Sequence, residues 1–178
     1  QVLRMTLNQV LPPSLYNSDL LADKQTKHAI ALLGNEAETH IYPAFYHKQP
    51  VAVVLEATAN DGYSGKIKLL IGINLAGEII AVRVVSHQET PGLGDYIDSK
   101  KSEWIDIFKG KSLNNPADNG WKVKKDGGEF PHMAGATISP RAVIYATHQA
   151  LLYYKQEQKN IFAAHPRPQG NHAAHSLP

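Results

Sequence analysis

Three apolar, β-branched runs between residues 51 and 86 constrain this chain more than any other feature. Val51–Thr58, Lys66–Ile73 and Ile79–Val85 are each too short for a typical helix and are bounded by turn formers. Branching at Cβ crowds a helix and suits the pleated surface of a sheet. Asn60-Asp61-Gly62 and Ala76-Gly77 supply the residues that tight hairpins require. Consecutive antiparallel pairing is therefore expected, with strand character starting near Ile41.

Outside this block the apolar spacing turns helical. Leu3, Leu7 and Val10 recur every three or four residues, which gives a helix within residues 1 to about 22, broken at Pro13-Ser14. Ser99 to Lys109 reads as a short amphipathic helix with Trp104, Ile105 and Phe108 on one side and Gly110 as its stop. Trp121 to Lys125 reads as a strand ended by Asp126-Gly127-Gly128. The strongest helix signal follows, with Ser139 as N-cap and Pro140 as first helical residue. It runs to about Lys155 and carries a stripe of Val143, Thr147, Ala150, Leu151 and Tyr154. Strands with helices around them imply an α+β fold, a single domain with a mainly antiparallel twisted sheet flanked by helices. The expected division is an N-terminal helix over 1–22, the domain proper over 23–160 and a mobile tail over 161–178.

Several function classes lose their support here. A net charge of +2, with no Lys/Arg run interleaved with aromatics, argues against nucleic acid as a partner. Without cysteine there is no thiolate nucleophile and no iron–sulfur or Cys-type zinc site, so redox chemistry needs a borrowed cofactor. No HExxH pair occurs, and His165, His172 and His175 fall in the expected tail, so no metal site is predicted. GxSxG, GxxxxGK[ST] and GxGxxG motifs are also missing. No run of 18 apolar residues spans a membrane, and a segment upstream of Gln1 is expected.

Three passages carry chemistry. His87 to Asp95 follows an apolar strand. In it Gly92 and Gly94 allow close backbone approach, Pro91 stiffens the turn, and Glu89 and Thr90 offer polar atoms beside Leu93 to the edge of a planar ring. The plainer reading is a strain-relieving connection. Gly135, Ala136, Thr137, Ile138 and Ser139 deliver small residues and hydroxyls to a helix N-terminus, where free N–H groups and the helix dipole favour a phosphate. The plainer reading is an N-cap after a tight turn. Lys124 and Lys125, a short loop upstream, either neutralise that phosphate or form a solvated strand end. Tyr63 and Ser64, in Asp61-Gly-Tyr-Ser-Gly, offer an aromatic stacking face or simply a hairpin turn.

Taken in order, Asp61-Gly-Tyr-Ser-Gly, His87-x-Glu-Thr-Pro-Gly-Leu-Gly-Asp, Val123-Lys-Lys-Asp-Gly-Gly and Gly135-Ala-Thr-Ile-Ser-Pro-Arg-Ala-Val resemble the G-subunit family of the bacterial Rnf (Rsx) electron-transport complex. More distantly the chain is similar to the C subunit of the sodium-pumping NADH:quinone reductase. The resemblance spans about residues 8 to 155. It implies an FMN-carrying electron-transfer subunit rather than a stand-alone enzyme, working with the other subunits of an ion-translocating redox complex. It further implies an N-terminal helix in the cytoplasmic (inner) membrane and a soluble domain on the periplasmic side. FMN would be joined through its phosphate to Thr137 by a separate flavin transferase. The family's attachment pattern has Asp six residues before the acceptor and Ser or Thr three before it, where this chain has Pro131 and Ala134. Those departures motivate an alternative, a scaffold subunit that binds FMN reversibly or not at all.

Overall fold

The computed structural model describes residues 2–163. Its centre is a five-stranded sheet of β1 (Gln25–His28), β2 (Glu38–Tyr46), β3 (Gln49–Gly62), β4 (Gly65–Asn74) and β5 (Ile79–Ser86). Strand order follows chain order and every neighbour is antiparallel. The three β-branched runs are β3, β4 and β5. The β4–β5 turn falls at residues 75–77, as its Ala-Gly pair implies. The β3–β4 turn does not fall at Asn60-Asp61-Gly62. Pairing runs on to Gly62↔Gly65 through an irregularity after Ala59, so the turn residues are Tyr63 and Ser64.

Alternation along the strands feeds two cores. Ile41, Val53, Leu55, Ala57, Leu69, Ile71 and Val82 face one way and pack with helix α2 (Ile138–Ala163) and the loop-rich segment before it. Tyr42, Ala44, Ala52, Val54, Leu70 and Ala81 face the other way and pack with α1 (Val2–Val10) and Leu11 and Leu20. The sheet is thus a middle layer, apolar on both faces, as a two-residue period with both sides covered requires. α1 approaches β4 so closely that a Cβ at Gly72 would lie 2.0 Å from the Val10 carbonyl oxygen.

The helical readings need correction at their edges. The N-terminal helix ends at Val10, before Pro12 and Pro13, and only a 3-10 turn, Pro13–Leu15, follows. Helix α2 continues past Lys155 to Ala163, and the rest of the expected tail, 164–178, lies outside the described residues. The amphipathic segment 99–109 contracts to a 3-10 turn, Trp104–Phe108. Its aromatics pack as a cluster in which Trp104, Trp121 and Phe130 surround Phe108 at ring separations of 5.6, 6.2 and 5.3 Å. Trp121 to Lys125 is no strand. Val123 makes one isolated bridge to Phe130, flanked by the 3-10 turns Asp118–Gly120 and Lys124–Asp126.

Candidate functional site

The β3–β4 turn, the loop after β5 and the N-terminus of α2 converge on one cavity of about 190 Å³. It is lined by Tyr63, Glu89, Thr90, Leu93 and Gly94 on two of these segments and by Gly135 to Ser139 on the third. Of the residues singled out in the sequence, Ser64, Pro91, Gly92, Lys124 and Lys125 are not part of the lining. Tyr63, Leu93 and Ile138 form an apolar rim and remain 68%, 56% and 44% exposed.

Each wall has a local cause. The Ala136 N–H donates to the Met133 carbonyl at 3.1 Å, closing a turn that holds Gly135 at φ 80°, where a side chain would be strained. Thr137 then precedes α2, and its carbonyl accepts the Arg141 N–H at 3.0 Å. Ser139 is therefore the second helical residue rather than the N-cap, and its hydroxyl turns inward to donate to the Glu89 carboxylate. The loop after β5 lies against that hydroxyl, since a Cβ at Gly94 would sit 2.5 Å from Ser139 Oγ. Two further contacts shape this loop. The Gly92 N–H donates to Asp95 Oδ1 at 2.9 Å, and the Glu89 N–H donates to His87 Nδ1 at 3.0 Å. With Nδ1 accepting, a neutral His87 carries its proton on Nε2, which lies 3.2 Å from Asp98 Oδ2.

Two residues to which sequence reasoning gives no part in the site hold the third wall. Tyr96 donates its hydroxyl proton to the Ala136 carbonyl at 2.6 Å and accepts the Met133 N–H at 3.0 Å. Burial pushes the Tyr96 hydroxyl above its ordinary pKa, while the bond from Met133 opposes that shift. Trp104 stacks edge-on against Tyr96 and donates Nε1–H to the Pro131 carbonyl at 2.7 Å. Their sequence signal for this supporting role is placement, in that Tyr96 follows the Gly-Leu-Gly-Asp loop and Trp104 heads the next turn. Lys124 and Lys125 are exposed on a turn held to the start of α2 by a bidentate pair, Arg141 Nε to Asp126 Oδ2 at 2.6 Å and Arg141 Nη2 to Asp126 Oδ1 at 2.7 Å.

The arrangement is suited to a flat ligand bearing an anion. The first N–H groups of α2 have no intrahelical acceptor, and an anion placed there would meet the favourable end of the helix dipole. Tyr63, Leu93 and Ile138 supply apolar surface for a ring system. A cavity of 190 Å³ falls below the roughly 300 Å³ at which pockets begin to enclose a drug-sized ligand, so a ligand the size of FMN would be held in part and left accessible at the rim. Among the described residues no group of three or more His, Asp or Glu could hold a metal ion.

Comparison with known proteins gives the same region a family. Residues 62–152 match the model of the FMN-binding domain. The chain is 49% identical over 157 residues to the G subunit of the ion-translocating oxidoreductase complex of Pseudomonas aeruginosa, covering 88% of this chain and 73% of that protein. It belongs to the G-subunit family of ion-translocating oxidoreductase complexes. The corresponding G subunit of Photorhabdus laumondii is 48% identical over 147 residues, covering 83% of this chain and 70% of that protein. The crystal structure of Shewanella oneidensis NqrC superposes with a TM-score of 0.55 at 22% identity, covering 90% of this chain and 74% of that one, which supports the fold. The matched 62–152 segment begins at the β3–β4 turn and contains all three walls of the cavity. Among the described residues no helix is long and apolar enough to cross a membrane.

Proposed function

We propose that this chain is the FMN-carrying electron-transfer subunit of an ion-translocating oxidoreductase complex, with the flavin in the cavity between the β3–β4 turn, the loop after β5 and the N-terminus of α2. The observation that carries the reading is the convergence of these three segments on a single cavity inside the region that matches the FMN-binding domain. When bound, FMN supplies the electron-accepting and electron-donating chemistry. The protein's part is to place it. The N–H groups at the start of α2 hold the phosphate, Tyr63, Leu93 and Ile138 flank the ring, and the open rim leaves an edge accessible to a partner.

Thr137 is the proposed point of covalent attachment. It lines the cavity immediately before α2, in the place where a phosphoester would meet the helix N-terminus. Pro131 and Ala134 stand where the family's pattern has Asp and a hydroxyl residue, and both are exposed. Pro131 meets the fold through its backbone carbonyl, which accepts from Trp104, so the loop's contact there does not depend on an Asp side chain. The same reading includes a flavin transferase as modifying partner, the other subunits of the complex as electron partners, and a place on the outer face of the cytoplasmic membrane below an upstream helix. The family resemblance supports these.

The test is acid precipitation of the chain after co-expression with a flavin transferase. A yellow pellet is expected. Flavin released to the supernatant would replace covalent attachment with reversible binding, and a colourless protein would favour a flavin-free scaffold.

A further inference from the structure

Glu89 faces the cavity, yet its carboxylate is engaged by the protein itself. The side chain is buried, and its two oxygens accept the Tyr63 N–H at 3.0 Å, the Ser64 N–H at 2.8 Å and the Ser139 hydroxyl. These donors belong to the β3–β4 turn and to α2, while Glu89 itself belongs to the loop after β5. One carboxylate therefore joins all three walls. None of the ion pairs among the described residues includes it. A buried carboxylate normally has a cation beside it, and this one is satisfied by neutral donors alone.

We propose that Glu89 is a positioning residue with an electrostatic role. It fixes the Tyr63-Ser64 turn and Ser139 relative to one another, and its unneutralised charge makes the cavity less favourable to the negative charge that a flavin gains on reduction. The inference rests on the reading of this cavity as the flavin site. The sign follows from Coulomb's law in a partly desolvated site, where a nearby anion holds the potential of an electron acceptor down. The Ser139 hydroxyl moderates that charge by donating to it. Removing the charge and removing the donor must then act in opposite directions, whereas simple loosening of the cavity would move both variants the same way.

The experiment uses the full chain co-expressed with a flavin transferase, as wild type, Glu89→Gln and Ser139→Ala. Midpoint potentials are read by dithionite titration against a reference dye. Glu89→Gln is expected to shift the potential in the positive direction and Ser139→Ala in the negative direction. Shifts of the same sign, or no shift in either, overturn the proposal. Amide exchange at Tyr63 and Ser64 in the flavin-free proteins reads the clamp independently of loading. Exchange about tenfold faster in Glu89→Gln is expected, because a carboxamide cannot replace both carboxylate acceptors, and unchanged exchange overturns the proposal even if the variant takes up no flavin. Failure of the wild type to take up flavin would count against the functional reading alone, since the exchange measurement still tests the clamp.

Discussion

At the scale of single residues, the cavity depends on side chains that support its walls as much as on those that line it. Tyr96 is the clearest case, because one hydroxyl serves both ends of the Met133–Ala136 turn. Tyr96→Phe keeps the ring and removes both bonds, and each is worth about 0.5–1.5 kcal/mol. A fall in FMN affinity or loading is expected with only a modest loss of melting temperature. Equilibrium binding measured alongside a thermal melt checks this. The Asp126–Arg141 pair has a definite pH signature. The Arg141 guanidinium, chiefly by hydrogen bonding and further by its charge, holds the Asp126 carboxyl below its ordinary value of 3.8 against an opposing effect of desolvation. A lowered folded pKa adds stability above the unfolded value and loses it as pH falls through the folded one. Asp126→Asn should therefore lower the melting temperature slightly at neutral pH, and the difference should vanish in acid below the usual carboxylate range. A pH series of melts on both proteins decides it.

At the scale of elements, two joints fix how the helices cover the sheet. Helix α1 lies on β4 at Gly72, where a Cβ would collide with the Val10 carbonyl. Gly72→Ala should cost about 1–3 kcal/mol through forced displacement of α1, measurable by denaturant unfolding. Helix α2 is tied to the β4–β5 turn by Tyr154, whose hydroxyl donates to the Leu75 carbonyl at 2.8 Å and whose pKa burial pushes up to about 12. A raised folded pKa leaves this contribution intact below the ordinary value of 10 and removes it as pH rises towards 12. Tyr154→Phe should lose about 1 kcal/mol near neutrality and show less alkaline destabilisation than the wild type.

Legibility in the sequence divides along the same physical lines. β3, β4, β5 and the buried stripe of α2 are readable because long apolar periodicity leaves few alternatives. β1 is not, since Gln25–His28 is a polar edge strand with three of its four residues exposed. The reading of Ser139 as an N-cap is locally sound and is overridden by a partner fifty residues away, Glu89, which no local rule can see. The strand expected from Trp121 fails for a related reason, in that its apolar residues serve an aromatic cluster rather than a ladder. The cavity's three segments are visible in the sequence as passages rich in small and hydroxyl residues, but the supporting roles of Tyr96 and Trp104 are hidden because support acts through tertiary contacts.

At the scale of the whole molecule, the sheet separates two cores with different tasks. The α1 side, with Tyr42, Val54 and Leu70, carries no part of the cavity, whereas the α2 side joins the sheet, the aromatic cluster and the cavity walls in one packed unit. Phe108→Ala should therefore destabilise the fold by about 3–5 kcal/mol and weaken flavin retention together, since its neighbour Trp104 holds the loop at Pro131. The central claim is that this unit presents FMN from Thr137. The most direct measurement is peptide mass mapping across residues 126–141 after co-expression with a flavin transferase, with Thr137→Ala alongside. The account predicts an added FMN-minus-water mass on Thr137 that disappears in the variant. An unmodified wild-type peptide, or a modification that survives Thr137→Ala, would contradict it.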